Sequence, residues 1–199
     1  MAKKTELVFI LDCSGSMQPL AADTVGGFNG TLAPFRKEEA EMLVTTVLFN
    51  GTSRTLHDRV PLSALPEMTA EDYQTFGCTA LLDAIGGTVT HIHTIHRYAR
   101  PEDVPERTVF FITTDGMENA SAAYTADKVR QMIAAREKDG WEFHFLAANI
   151  AAVSTARSLG ICDGHALQFD ASPSGVQKSF ACMARVISKD EVKRPKPKK

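Results

Sequence analysis

Apolar residues in this chain fall into short dense blocks separated by stretches with a helical period. Leu7-Val8-Phe9-Ile10-Leu11 is apolar at every position and stops at Asp12. A block of that length, bounded by a Gly-containing turn, reads as a strand buried on both faces, here Glu6 to Leu11. Glu41 to Asn50, containing Met-Leu-Val-Thr-Thr-Val-Leu-Phe, and Arg107 to Thr113, containing Thr-Val-Phe-Phe-Ile-Thr, read the same way. Trp141 to Ala147 and a short run from His165 to Phe169 add two more strands. Asn50-Gly51 is a strong hairpin signal and leads into the more polar Ser53 to Arg59, expected antiparallel at a sheet edge.

Helical stretches fill the intervals. Leu20 to Lys37 predicts a helix broken in its middle by Gly26-Gly27. Ala80 to Tyr98 carries Leu81, Leu82, Ile85, Val89, Ile92 and Ile95 at helical spacing. Gly86-Gly87 inside it is unfavourable by propensity, so close packing is the expected reason for its presence. Thr125 to Asp139 predicts an amphipathic helix ended by Gly140, Ile150 to Leu159 a further helix, and Ser172 to Ser188 a last one. Ser172-Pro173 there fits an N-cap followed by proline at the first helical position. Thr69 to Asp72 opens a turn or short helix. Alternating strands and helices imply an α/β fold: a mostly parallel sheet with one antiparallel edge strand, covered on both faces. Ligands in such sheets bind at the carboxyl ends of the strands, beside a topological switch point.

That rule singles out three junctions. The first is Asp12-Cys13-Ser14-Gly15-Ser16, the second Phe76-Gly77-Cys78-Thr79-Ala80, and the third Ile112-Thr113-Thr114-Asp115-Gly116. Asp12 and Asp115 each end a buried strand, where a charge is costly unless it is paired or ligates a cation. Carboxylates and hydroxyls are hard oxygen donors that suit Mg²⁺, Mn²⁺ or Ca²⁺. Read locally, Ser14 and Ser16 could equally cap the following helix, Thr79 could cap its own, and Asp115-Gly116 could be a plain turn.

Taken together, the three loops resemble the metal-ion-dependent adhesion site of von Willebrand factor A (vWA) domains. Asp12, Ser14 and Ser16 match the Asp-x-Ser-x-Ser of that family, Thr79 its second-loop threonine, and Asp115 its aspartate after the fourth strand. The resemblance spans about Glu6 to Ser188. It implies a three-layer, doubly wound, Rossmann-like fold with a six-stranded sheet and one divalent cation, Mg²⁺ or alternatively Mn²⁺ or Ca²⁺, at its upper edge. The hydroxyls would ligate directly, the aspartates often through water, and an open position would take an Asp or Glu side chain from a partner protein. Neutral hydroxyl ligands leave such a cation electrophilic toward that carboxylate, whereas three or four direct carboxylates would satisfy it. The function expected is a metal-dependent protein-interaction module rather than an enzyme. A metal-assisted hydrolase or phosphoryl-transfer enzyme and a structural subunit with a fold-stabilising cation are the alternatives.

Other features change the picture less. His91, His93 and His96 look like a metal cluster, but only the last two share a helix face, and a solvated helix end is expected. His57-Asp58 lies on the presumed edge strand, away from the three loops. Asp83 is expected to face its neighbouring loop or cap locally. No nucleophile elbow or phosphate-binding loop is present. Cys13, Cys78, Cys162 and Cys182 form no Cys-x-x-Cys pair, and reduced thiols are expected. Cys13 and Cys78 sit beside the candidate ligands, so their approach near the cation is a further idea to check.

The net charge is −2, but Lys189 to Lys199 carries six basic and two acidic side chains, which leaves the body at −6. An acidic body speaks against a nucleic-acid surface. No apolar run approaches the ~20 residues of a membrane span, and Leu7 to Leu11 is too short for a signal-peptide core. A cytoplasmic location, one domain over residues 1–188 and a disordered basic tail over 189–199 are therefore expected.

Overall fold

In the computed structural model, which describes residues 4–148, 150–162 and 164–188, the apolar blocks form a single six-stranded sheet. The strands are β1 (Thr5–Asp12), β2 (Met42–Phe49), β3 (Ser53–Pro61), β4 (Arg107–Thr114), β5 (Glu142–Ala147) and β6 (Ala166–Gln168). The helices are α1 (Ala21–Lys37), α2 (Leu81–Tyr98), α3 (Ala126–Lys138), α4 (Ile150–Ser158) and α5 (Pro173–Ser188). The expected tail at 189–199 lies outside the described residues. Strand order is β3-β2-β1-β4-β5-β6, with every pairing parallel except the β2–β3 hairpin at one edge. The fold is the expected three-layer, Rossmann-like α/β arrangement.

Two cores follow from the period-2 alternation of side chains along a strand. Leu7, Phe9 and Leu11 of β1 face α1 and α5, where they join Phe28, Leu32, Phe180 and Met183. Val8 and Ile10 face the opposite layer and join Ile85, Val89, Val129 and Leu159. Central strands buried on both sides explain why their sequences are apolar without alternation.

The glycines correct one expectation. Helix α1 runs unbroken through Gly26-Gly27. A Cβ at position 27 would come closer than 3.0 Å to three carbons of the Phe180 ring, so Gly27 lets α5 close onto α1. Packing thus overrides a local propensity cost of about 1 kcal/mol. Gly86 plays the expected close-packing role in α2, against the ring of Tyr124, whereas Gly87 meets nothing.

The histidine run also departs from expectation. His96 is no solvated helix end: its side chain is 9% exposed, and Nε2 lies 2.5 Å from Glu6 Oε2. Arg59 Nε donates to the other oxygen of the fully buried Glu6 at 2.6 Å. His91 pairs with Asp58 at 2.9 Å, and His93 contacts the Arg136 guanidinium. His57 is buried on β3 against Thr46, clear of the three loops, as expected.

Arg107, at the start of β4, ties α5 to the sheet. Nε and Nη2 donate to Glu142 at 2.6 and 2.9 Å, while Nη2 and Nη1 also reach the Val186 and Ile187 carbonyls at 3.1 and 3.3 Å. Burial pushes the Glu142 carboxyl up, but contacts with His144 and Arg107 outweigh it and hold the pKa at about 2. His144 Nε2 is 3.5 Å away, long for a hydrogen bond, so the bidentate Arg107 is the stronger partner.

Two stability tests follow from these contacts. Gly26 has nothing within 4 Å of an added Cβ, so Gly26→Ala should raise stability by about 0.5–1 kcal/mol. Gly27→Ala should lower it by about 1–3 kcal/mol through overpacking; urea unfolding of the two variants reads the opposite signs. Arg107→Ala should cost about 2–3 kcal/mol at pH 7. Glu142 is depressed in the folded state, so its contribution is complete above its unfolded pKa of about 4.3. It is lost as pH falls toward about 2. The gap between wild type and Arg107→Ala should therefore shrink across that window, as followed by urea midpoints at successive pH values.

Candidate metal centre

Strands β1 and β4 are adjacent and parallel, and the chain leaves them toward opposite halves of the sheet. Their carboxyl ends form the switch point at which α/β sheets bind ligands. Asp12 is the last residue of β1 and is fully buried. The Ser14 amide donates to its Oδ1 at 2.8 Å, and the Thr114 hydroxyl donates to its Oδ2 at 2.6 Å. The Tyr73 hydroxyl donates to its backbone carbonyl. Burial pushes the Asp12 carboxyl up in pKa; the Thr114 and Ser14 hydrogen bonds oppose this, and the charge of Asp115 adds to it.

From Asp12 the donors run outward as a chain. Ser14 Oγ lies 3.2 Å from Ser16 Oγ, and Ser16 Oγ donates to Asp115 Oδ1 at 2.7 Å. Thr79 joins the same point from the second loop. A Cβ added to Gly116 would stand 3.2 Å from Thr79 Oγ1 and 3.8 Å from Ser16 Oγ. The fold therefore brings Asp12, Ser14, Ser16, Thr79 and Asp115 together from three loops. Ser14 and Thr79 are buried, Asp115 is half-buried and Ser16 is exposed, so the cluster opens to solvent on one side.

Backbone bonds fix these loops to each other. Gly15 N donates to the Gly77 carbonyl at 3.1 Å and Phe76 N to the Cys13 carbonyl at 3.0 Å. Gly77, at φ +74°, has the left-handed conformation that favours glycine. Thr79 and Asn119 exchange two bonds: Thr79 N donates to Asn119 Oδ1 at 2.9 Å, and Asn119 N to the Thr79 carbonyl at 3.1 Å.

The loop after β4 carries a second clamp that the sequence reading did not single out. The Glu118 carboxylate accepts from the Leu82, Ala120 and Ser121 amides and from the Ser121 hydroxyl, at 2.7 to 3.0 Å. Burial pushes the Glu118 carboxyl up, but these bonds outweigh it and hold it below its ordinary value. Asp83 behaves as expected and faces this loop, accepting from the Ala122, Ala123 and Tyr124 amides at 2.8 to 3.0 Å. Only the proximity of Glu118 and Asn119 to Asp115 in the chain signals their role.

Cys13 turns into the core beside α1, and burial together with the Asp12 charge pushes its thiol up to about 11. Cys78 is exposed. Cys13 thus points into the core and is protonated at neutral pH.

The five-residue donor set is all oxygen, with two carboxylates and three hydroxyls, which fits a hard divalent cation and not a soft one. Among the described residues, no three His, Cys, Asp or Glu side chains gather as a metal-binding group. The cluster has only two such side chains and would depend on its hydroxyls.

The family model for the VWA domain containing CoxE-like protein matches residues 1–152, which include β1, β4 and all three loops. The chain belongs to this VWA family. No curated protein matches its sequence. Among solved structures, the vWF domain of the type V pili tip protein Mfa5 from Porphyromonas gingivalis superposes with a TM-score of 0.76 at 10% identity, covering 100% of this chain and 99% of that one. The pilus adhesin SpaC from Lactobacillus rhamnosus GG gives 0.74 at 12%, covering 95% and 30%. The PilB minor pilin from Streptococcus sanguinis gives 0.70 at 12%, covering 98% and 64%. At such identities these likenesses show the VWA fold. Among the described residues, no helix is long and apolar enough to cross a membrane.

The Glu118 clamp yields a test of how this VWA domain holds its third loop. Glu118→Ala leaves three amides and a hydroxyl without their acceptor, and should cost about 1.5–3 kcal/mol. Hydrogen exchange should report faster exchange at the Leu82 and Ser121 amides than in wild type.

Proposed function

We propose that this VWA domain is a divalent-metal-dependent protein-interaction module. Ser14, Ser16 and Thr79 would hold Mg²⁺, or alternatively Mn²⁺ or Ca²⁺, through their hydroxyls, with Asp12 and Asp115 supplying negative charge directly or through water. When bound, the cation supplies a Lewis-acidic position for an Asp or Glu side chain of a partner protein. The observation that carries this reading is the run of oxygens from Asp12 through Ser14 and Ser16 to Asp115, with Thr79 converging on the same point.

Each residue has a separate task. Asp12 organises: its carboxylate orders the Ser14 amide and the Thr114 hydroxyl, and so sets the direction of the first loop. Ser16 and Asp115 form the solvent-facing side, where a partner would approach.

Asp12→Ala is a poor probe, because it also removes the acceptor for two buried donors. Asp115 is half-buried and its charge adds to that of buried Asp12, so Asp115→Ala should fold with a melting temperature near that of wild type in chelator. Titration calorimetry with Mn²⁺ and Mg²⁺ should show saturable binding to wild type and none measurable to Asp115→Ala. Equal affinity in the two proteins would overturn the assignment.

A further inference from the structure

Helices α2 and α3 cover the same face of the sheet and bury Val89 and Ile92, and Val129 and Ile133, in one core. Between the two helices a cleft of about 260 Å³ stays open to solvent. Its floor is apolar: Val89 is 2% exposed, and Met132 and Ala135 are half-buried. Lys128 and Arg136 stand on its rim, and among the described residues no Asp or Glu lines it. Lys128, Met132 and Arg136 recur every four residues, so they form one line along α3. Eight residues of helix set the two cations about 12 Å apart, with the apolar floor between them. The cleft is smaller than the roughly 300–1,000 Å³ of a small-molecule site and suits one large apolar side chain.

Arg136 is held in place with half of its fork unused. Nη1 meets Asp139 Oδ2 at 3.0 Å and donates to the His93 ring, while the guanidinium lies 5.9 Å from the centroid of the Trp141 ring. Burial and the Arg136 cation push the His93 imidazole down in pKa, which suits it to accept that bond. Among the described residues, Nε and Nη2 meet no acceptor, although their side chain is only 18% exposed. That edge of an arginine takes a carboxylate through two parallel bonds. Holding the fork before contact lowers the entropic cost of using it.

The acidic excess of the body does not lie at this cleft. Helix α3 with its cap Asp139 carries four bases and three acids. Asp127 is paired with Arg130 at 2.7 Å and Asp139 with Arg136, whereas the Lys128 ammonium makes no ion pair among the described residues. Charges more than about 8–10 Å away are largely screened at physiological salt. Exposed ion pairs contribute little by themselves. An apolar side chain in the cleft would therefore carry most of the affinity, and the two cations would set orientation and register.

We propose that the cleft between α2 and α3 docks an acidic amphipathic helix of a partner protein. One large apolar side chain of that helix fills the space over Val89, Met132 and Ala135. Acids on either side of it meet Lys128 and the free edge of Arg136. This surface works independently of the metal centre.

Selection of a displayed library of alanine-based helical peptides, about 20 residues long and randomised along one face, on the immobilised full chain tests this docking. It is run in chelator, so its outcome does not depend on bound metal. The expected result is enrichment of two acids about seven or eight positions apart with Leu, Ile, Phe or Met midway between them. The best peptide, resynthesised, should bind Ala135→Glu at least about tenfold more weakly. Lys128→Glu should weaken it at least about threefold, the scale of an exposed ion pair. Replacing the facing acid of the peptide by Lys should restore binding to Lys128→Glu and not to wild type. Lys128 is exposed and unpaired, so that variant should melt with wild type and keeps the test open if Ala135→Glu does not fold. Enrichment without this spacing, no enrichment, or unchanged affinity for Lys128→Glu would overturn the inference. So would a wild-type dimer, seen by light scattering, that Lys128→Glu dissolves, because a second copy would then fill the cleft.

Discussion

The carboxylate of Asp12 is the constraint around which the upper edge of this molecule is built. A fully buried charge at the end of a central strand costs several kcal/mol unless its oxygens are satisfied. Both are: one by the Ser14 amide and one by the Thr114 hydroxyl. Those two bonds turn the chain sharply after β1 and tie it to the end of β4. The Tyr73 hydroxyl then fixes the Asp12 carbonyl and, with it, the segment leading to Thr79. Three loops distant in sequence are thus referenced to one residue.

The other end of β1 shows what a self-contained solution looks like. Glu6 is as deeply buried as Asp12, on the same side of the strand, yet it is met by two basic side chains, Arg59 and His96. Asp12 is held by neutral donors, and Asp115 adds a second negative charge nearby. One strand therefore carries a carboxylate paired with basic side chains at its base and one held by neutral donors at its top. The base is built for stability. The top is where the proposed metal centre lies.

What the sequence could reveal depended on the range of the interaction. Strands and helices were legible because burial periodicity is local, and the three loops because each joins a strand end to a recognisable residue pattern. Helix α1 was expected to break at Gly26-Gly27 because the propensity cost is local, whereas its compensation, the ring of Phe180, lies in the last helix. His96 looked solvated because its partner Glu6 lies 90 positions earlier in the chain, with α1, β2 and β3 between them. Glu118 escaped notice for the same reason: an acid in a polar loop carries no sign that its oxygens will meet the amide of Leu82, 36 positions away. Cys13 was ambiguous in sequence, and strand parity resolves it, since alternate residues of β1 face opposite cores.

At 10–12% identity the pilus proteins share the fold with this chain while most residues differ. A sheet buried on both faces can exchange most of its residues for others of similar size and keep its form. Discrimination among partners of the proposed site would come from the surroundings of its oxygens, on the loops that the scaffold leaves free to vary. In this chain those surroundings include the exposed side chains of Phe76 and Met117.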